Sequence, residues 1–568
     1  MRYTDIRDGG YLDEHGWPTS IPAELKSIGT IFAWGDNAYG QGETRKGRYV
    51  LTYEGKGDLQ LILIDDKQII EVKPGRIIFD IKNNEGNWGF NIYDTDPKGT
   101  KNYIRNIKII KENQLELYSA GAIFNPDWLA SIRDVRQVRF MDMMGTNGSK
   151  IAKWEEQRKI DDHTWSGNVP VEVQVRLANE IGADPWFNMP FHADNNYVRK
   201  FSNYVHDNLD PDLIASVELS NEVWNWSFQQ ARDAKKMSIN EWDLDSANAG
   251  AGGNFYGKRA SEVMKIWTEV FGNETSTRLK RIAATQAVND WLSQQILNAP
   301  KWKKHDPDGY VPPHMYFDAL SVAAYFGGGV IRSQKNREAL FAVMDDPTVN
   351  NFDFHYRLIK GEIDGLGNFL KRTVDALQSQ RTVAEKYDLE LIAYEGGQHV
   401  HHSAHVSIPE ADLQRLQNHL IGFVRSQQMA DLYQELWDKW KQIGAGPFMQ
   451  FVDIGAPSKY GSWGLRASLS DTSPRAVLLK QFNANTPAWW ESRGGDHFRQ
   501  GVIRYGTGNS DTLSGTHAED YLIGRGGDDI FYPGPGNDGI NGGAGTDSVL
   551  FRGINQSTLF HLNGMAIA

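Results

Sequence analysis

The sequence predicts a multidomain protein, with a (β/α)8 TIM barrel set between an N-terminal β-sandwich and a C-terminal module of glycine- and aspartate-rich repeats. Three observations carry that expectation. From about residue 115, apolar strand-like segments alternate with amphipathic helical segments, and eight strands can be counted. Ahead of them lie short β-type segments at even intervals, broken by Gly, Asn and Asp. Beyond residue 506, aspartates recur about every nine residues among glycines.

The expected divisions are residues 1–113 for the β-sandwich, 114–485 for the barrel, 486–505 for a linker and 506–568 for the repeat module and tail. In the first, strands are predicted over 28–34, 47–53, 59–64, 76–81, 88–93 and 103–110, with Trp34, Tyr39 and Trp88 as a carbohydrate platform or as core. A net charge of −12 and a pI near 5.7 leave no basic field for a phosphate backbone, so nucleic acid is excluded as a partner. With no cysteine, disulfides, thiolate metal sites and cysteine nucleophiles are excluded too. No apolar run is long enough for a membrane span. Met1-Arg2-Tyr3-Thr4-Asp5 lacks the apolar stretch of a cleavable signal peptide, so export would need another signal.

The eight barrel strands are predicted over 114–119, 137–143, 185–189, 215–220, 281–285, 319–325, 390–394 and 448–453. Helices are predicted over 170–181, 196–208, 256–271, 375–387, 430–442 and 473–482. Barrels of this kind gather their chemistry at the C-terminal ends of the strands. There the fourth predicted strand delivers Asn221-Glu222 and the seventh delivers Glu395-Gly396-Gly397, which sets two carboxyls facing each other across the mouth. Paired carboxyls suit glycoside hydrolysis, in which one donates a proton to the leaving oxygen and the other attacks or stabilises the reacting carbon.

An Asn-Glu at strand four with a Glu at strand seven resembles clan A of the glycoside hydrolases, the retaining (β/α)8 enzymes, over residues 114–485. The resemblance implies that Glu222 is the acid/base and Glu395 the nucleophile. It further implies that Asn221 binds the sugar 2-hydroxyl, Arg139 supports the charge of Glu395, Tyr325 orients it, and Trp463 gives the sugar an apolar face. His192, Asp142, Asn147 and Trp226 (or its neighbour Trp224) join as substrate-binding candidates. A carboxyl spacing of roughly 5–5.5 Å is expected, with Glu395 ionised and Glu222 held protonated near neutral pH. The implied substrate is a β-linked polysaccharide cleaved internally, and the chain is expected to be a monomer that inserts in no membrane.

After Glu395 the chain continues Gln398-His399-Val400-His401-His402-Ser403-Ala404-His405. No zinc motif has that spacing, and His399 is expected to bind substrate, with a metal as the alternative.

In the tail, Asp511, Asp520, Asp528, Asp538 and Asp547 are each followed two residues on by Leu513, Leu522, Ile530, Ile540 and Val549. Glycine permits the tight turns, aspartate supplies hard oxygen ligands, and the apolar residues stack into a thin core. The pattern resembles the calcium-binding parallel β-roll of the RTX family. That resemblance implies structural calcium at the five aspartates and none for catalysis, export unfolded through type I secretion machinery, and an extracellular location. Asp511 and Asp520 depart from the glycine pattern and are expected to bind weakly or to cap the roll. The rival reading of the whole chain is a non-catalytic, calcium-dependent polysaccharide-binding or matrix protein.

Overall fold

The computed structural model describes residues 3–33, 43–82, 86–245, 250–400, 403, 406–493 and 500–551, together with the backbone of 558–562. Its first strands are β1 (Ile28–Ala33), β2 (Gly47–Glu54), β3 (Asp58–Ile62), β4 (Ile69–Lys73), β5 (Arg76–Ile81), β6 (Asn87–Asp94) and β7 (Arg105–Lys111). They form two antiparallel sheets, ordered β1-β6-β3 and β4-β5-β2-β7. Leu51, Leu59, Ile77, Phe79, Trp88 and Ile92 meet in one apolar core. Trp88 is 6% exposed and packs on Phe32 and Phe79, so it is core and not a sugar platform. Trp34 and Tyr39 fall outside the described residues.

Seven parallel strands follow: β8 (Gln137–Arg139), β9 (Asp184–Met189), β10 (Ala215–Leu219), β11 (Leu279–Thr285), β12 (Ala319–Phe326), β13 (Glu390–Gln398) and β14 (Phe448–Gln450). They pair in chain order into one sheet that curls until its edges, β8 and β14, approach each other, giving a nearly closed barrel. Helices occupy the connections, among them Val171–Ile181, Asn195–Asn208, Ala251–Phe271, Phe369–Lys386 and Gln427–Ile443. Strand residues of one parity, Phe187, Ala283, Leu320, Leu391 and Ala393, pack in the layer shared with the helices. Those of the other parity, Trp186, Ile282, Ala284, Ala319, Ile392 and Tyr394, form a second cluster. Side chains alternate between the two faces of a strand, so the second cluster is the barrel interior.

The expectation of eight strands is corrected here. Residues 114–119 are not a strand: Glu112–Gln114 is a 3₁₀ turn and Leu115–Ser119 one short helical stretch, closed by Ala120 and Gly121. The alternation Leu115, Leu117 reads as a strand, but of the helical stretch only Leu117 is buried. Without that strand, a seam stays open between β8 and β14. It holds a cavity of roughly 370 Å³ lined by Trp128, Val138, Trp437, Phe448, Trp489 and, at its inner end, Glu395.

The C-terminal strands are β15 (Ile503–Tyr505), β16 (Thr512–Ser514), β17 (Tyr521–Ile523), β18 (Ile530–Tyr532), β19 (Gly539–Asn541), β20 (Asp547–Phe551) and β21 (Thr558–Leu562). Odd and even strands alternate between two sheets, β15-β17-β19 and β16-β18-β20, and parallel partners lie 18 residues apart, as in Ile503↔Tyr521 and Thr512↔Ile530. β21 joins β20 antiparallel. Between the sheets sit Leu513, Leu522, Phe531, Ile540 and Val549, each nine residues after the last. The third repeat is therefore shifted by one from the sequence expectation, because Ile530 is 38% exposed and Phe531 is the buried residue. The aspartate in register is likewise Asp529, which is buried, whereas Asp528 is exposed.

Candidate active site

Two local irregularities bring the acidic side chains together. The β12–β13 ladder pairs Val322 with Ala393 and then Ala323 with Glu395, skipping Tyr394. Such a bulge re-aims side chains, and it lets consecutive residues, Tyr394 and Glu395, both take part in one site where a regular strand would send them to opposite faces. After β10, Ser220 and Glu222 adopt φ of +62° and +43°, a left-handed conformation costing about 1–3 kcal/mol each for non-glycine residues. The turn is pinned by Ser220 N–H donating to the Met189 carbonyl (2.8 Å) and by the Asn188 and Gln230 amides donating to the carbonyls of Ser220 and Asn221 (2.8 Å each).

Arg139, at the end of β8, lies at the centre. Its guanidinium donates to Glu218 Oε2 from Nε (3.2 Å) and Nη2 (2.8 Å), to Asn221 Oδ1 from Nη2 (2.9 Å) and to Glu395 Oε1 from Nη1 (3.0 Å). The rings of Trp186 and Tyr394 lie 5.4 and 5.0 Å from it. Glu218 also accepts from Trp186 Nε1 (3.0 Å) and Asn188 Nδ2 (2.9 Å). Burial pushes the Glu218 carboxyl up, and Arg139 opposes that shift. A carboxylate this deep needs such a cation and donors, since an unpaired buried charge is prohibitively costly.

The two candidate carboxyls have different surroundings. Glu395, 8% exposed, accepts from Arg139 at Oε1 and from the Tyr325 hydroxyl at Oε2 (2.8 Å). Glu222 accepts from the Tyr394 hydroxyl at Oε1 (2.7 Å) and from Asn225 Nδ2 at Oε2 (2.7 Å). One carboxyl thus touches a fixed cation and the other touches neutral donors. Burial pushes Glu395 up to about 7, opposed by Arg139 and reinforced by the nearby charge of Glu222. Desolvation thus acts on Glu395, the carboxyl expected to be ionised. The Tyr394 and Tyr325 hydroxyls are both raised well above 10, first by burial and then by the field of both carboxyls.

The remaining candidates divide into those that join this cluster and those at its rim. Asn221 Nδ2 donates to Asn147 Oδ1 (3.1 Å), which also accepts from Gln230 (2.8 Å). His399 packs its ring 5.3 Å from Tyr325 and 6.3 Å from Trp463, and burial together with Arg332 pushes it down to about 4, so it is neutral. Trp224 sets its edge against Tyr394 and is part of the packing. Asp142 is exposed and lines the cavity that Glu395 also lines. His192 places Nε2 3.0 Å from Asp233, outside the carboxyl cluster. Trp226 is 60% exposed, with Lys235 5.6 Å from its ring centre. His401, His402 and His405 lie outside the described residues, among which no group of three or more His, Asp or Glu converges as a metal site.

Sequence reasoning missed Glu218, Trp186, Asn188 and Tyr394. A usable signal existed for Glu218: a lone acid within a strand that is otherwise apolar demands a buried cation.

In the tail, the carboxylate oxygens fall into two groups. Asp511 and Asp520 have Oδ2 accepting from the backbone N–H of Thr507 and Thr516. Asp529 and Asp547 give Oδ1 to the N–H of Asp511 (2.7 Å) and Asp529 (2.9 Å), while Oδ2 of each is buried without a hydrogen-bond partner. Buried carboxylate oxygens without a hydrogen-bond partner are hard donors of the kind a divalent cation takes.

A parallel barrel with a buried Arg–carboxylate cluster at its strand ends is the class of protein that fold and site define. No protein-family model and no curated protein sequence matches the chain. Among solved structures it is similar to a β-glucuronidase from Ruminococcus gnavus (10% identity, 77% of this chain and 63% of that chain, TM-score 0.29). It is also similar to a glycoside hydrolase family 5 mannosidase from Rhizomucor miehei (11% identity, 62% of this chain and 92% of that one, TM-score 0.26). The match spans less than two thirds of that glucuronidase.

Proposed function

We propose that the protein is a glycoside hydrolase that cleaves β-linked polysaccharide internally with retention, using Glu222 as acid/base and Glu395 as nucleophile. The supporting observation is the asymmetry of contacts: Arg139 and Tyr325 donate to Glu395, whereas Glu222 is held by the neutral donors Tyr394 and Asn225. A guanidinium favours the ionised form of the group it touches, and a nucleophile must be ionised.

In this reading Glu222 gives its proton to the glycosidic oxygen as an oxygen of Glu395 bonds to the anomeric carbon and the leaving sugar departs. Water then attacks that carbon, Glu222 takes the water's proton, and the bond to Glu395 breaks. Asn221, held between Arg139 and Asn147, is placed to meet the 2-hydroxyl. Trp463 and the neutral His399 form an apolar wall, and Asp142, His192 and Trp226 contact sugars further out.

The tail is read as a calcium-binding β-roll of an exported, extracellular and monomeric protein. Asp529 and Asp547, with turn carbonyls, would hold the cation, whose charge would offset that of the buried carboxylates. Asp538, whose Oδ1 accepts from the Asp520 N–H (2.8 Å) as the other aspartates in register do, would be a third ligand.

The test is turnover on a glycan panel. Glu222→Gln is expected to lower kcat by roughly 10²–10⁴, and Glu395→Gln by more, each with polysaccharide binding retained. Wild type that binds glycan but cleaves none would instead mark a binding or matrix protein.

A further inference from the structure

The two outer faces of the repeat module differ. On the sheet β16-β18-β20 the outward residues are open to solvent, as at Thr512, Ser514 and Ile530. On the other sheet the outward residues of β17 and the start of β19 are covered, Tyr521 being 6% exposed, Ile523 fully buried and Gly539 buried, whereas Ile503 and Tyr505 of β15 stay open to solvent. The cover comes from the segment that sequence reading took for the first barrel strand. Leu117, Ala120 and Ala122 form one apolar cluster with Tyr521 and Ile523.

Polar contacts frame this patch. The Tyr521 hydroxyl donates to Glu180 Oε2 (3.0 Å) and accepts from Arg176 Nη2 (3.0 Å), both on the outer barrel helix Val171–Ile181. Arg525 donates to Glu116 Oε2 (3.2 Å), and Asn541 donates to the Glu116 carbonyl (3.3 Å). A Cβ on Gly539 would lie 2.1 Å from the Ala120 carbonyl oxygen, and this glycine has no positive φ to account for it. Glycine stands there because the barrel side needs the space.

We propose that the repeat module is a calcium-ordered buttress on the outside of the barrel, so that calcium bound in the tail stabilises the barrel through the Tyr521 contact. This rests on the calcium reading given above. The structural reason is that the segment just ahead of the barrel takes its apolar cover from the tail. The segment 115–122 has no strand partner in the seven-stranded sheet and packs its apolar residues against the tail instead. An unordered tail would expose Leu117, Ala120 and Ala122 and remove the cover from Glu180. Anything that binds the ordered tail alone then shifts the stability of whatever is coupled to it.

The chain supplies its own reporter, since none of its 18 tryptophans lies beyond Trp490 and tryptophan fluorescence is blind to the tail. The full-length protein is melted with EGTA and with millimolar calcium, and hydrogen exchange over residues 503–549 follows tail order in parallel. Calcium is expected to protect the tail and raise the fluorescence midpoint by on the order of 5 °C. Tyr521→Ala is expected to abolish the second effect while keeping the first. Should that variant lose tail protection as well, Glu116→Lys, which sets a cation against Arg525 from the exposed barrel side, is expected to shrink the midpoint shift with the tail still protected. A tail that calcium orders without moving the fluorescence midpoint overturns the coupling and leaves the calcium reading standing, as does an undiminished shift in either variant with an ordered tail. A tail whose exchange ignores calcium defeats the calcium reading and the coupling together.

Discussion

Arg139 is the residue on which the site's electrostatics turn, because a single guanidinium answers two buried acids and positions Asn221. Removing it as Arg139→Met leaves Glu218 unpaired, and breaking a buried pair costs about 3–5 kcal/mol; urea unfolding is expected to register a loss of that size. Glu395 carries the pH dependence. Its affinity for a proton is raised to about 7, so it is protonated below that pH, and with Glu395 as the proposed nucleophile kcat/KM is expected to fall as pH drops through this region. Glu222 contributes to the upward push, so Glu222→Gln is expected to move the titration of Glu395 to lower pH, measurable by carbon NMR of labelled glutamate. An unmoved titration would show that the two carboxyls do not share one field. Glu222 and Glu395 were legible in the sequence because strand-end acids stand out against apolar strands. Glu218 and Tyr394 were not, since a mid-strand residue reads as core until its partners from other strands are known.

Among the elements, periodicity identified the seven barrel strands and the helices between them, and it failed at 114–119. Two leucines two residues apart fit a strand, but the chain there makes a short helical turn whose apolar side serves the tail. Period alone cannot separate these outcomes over six residues. The third tail repeat shows the same limit on a finer scale. Adjacent Asp528 and Asp529, followed by Ile530 and Phe531, fit the pattern in two registers, and only the stacking of Phe531 between Leu513 and Val549 decides. Phe531→Ala is therefore expected to cost about 3–5 kcal/mol, while Ile530→Ala should stay within about 0.5 kcal/mol. Hydrogen exchange of the tail in calcium measures both, and equal effects would return the register to Asp528.

For the molecule as a whole, composition and spacing made the parallel barrel legible along the chain, whereas the packing of its neighbouring segments was not. Tyr521 and Gly539 look like ordinary repeat residues, and their meaning depends on Ala120 and Glu180, some 340 residues or more away in sequence. The chemistry proposed for the molecule is set at one pair of side chains. Proton NMR of the first-formed product, on whichever polysaccharide the wild type cleaves, tests that pair most directly. Attack by Glu395 followed by water predicts a β-anomer at the new reducing end before mutarotation; an α-anomer would mean that water attacks directly, and it would contradict the assignment of Glu395 as nucleophile.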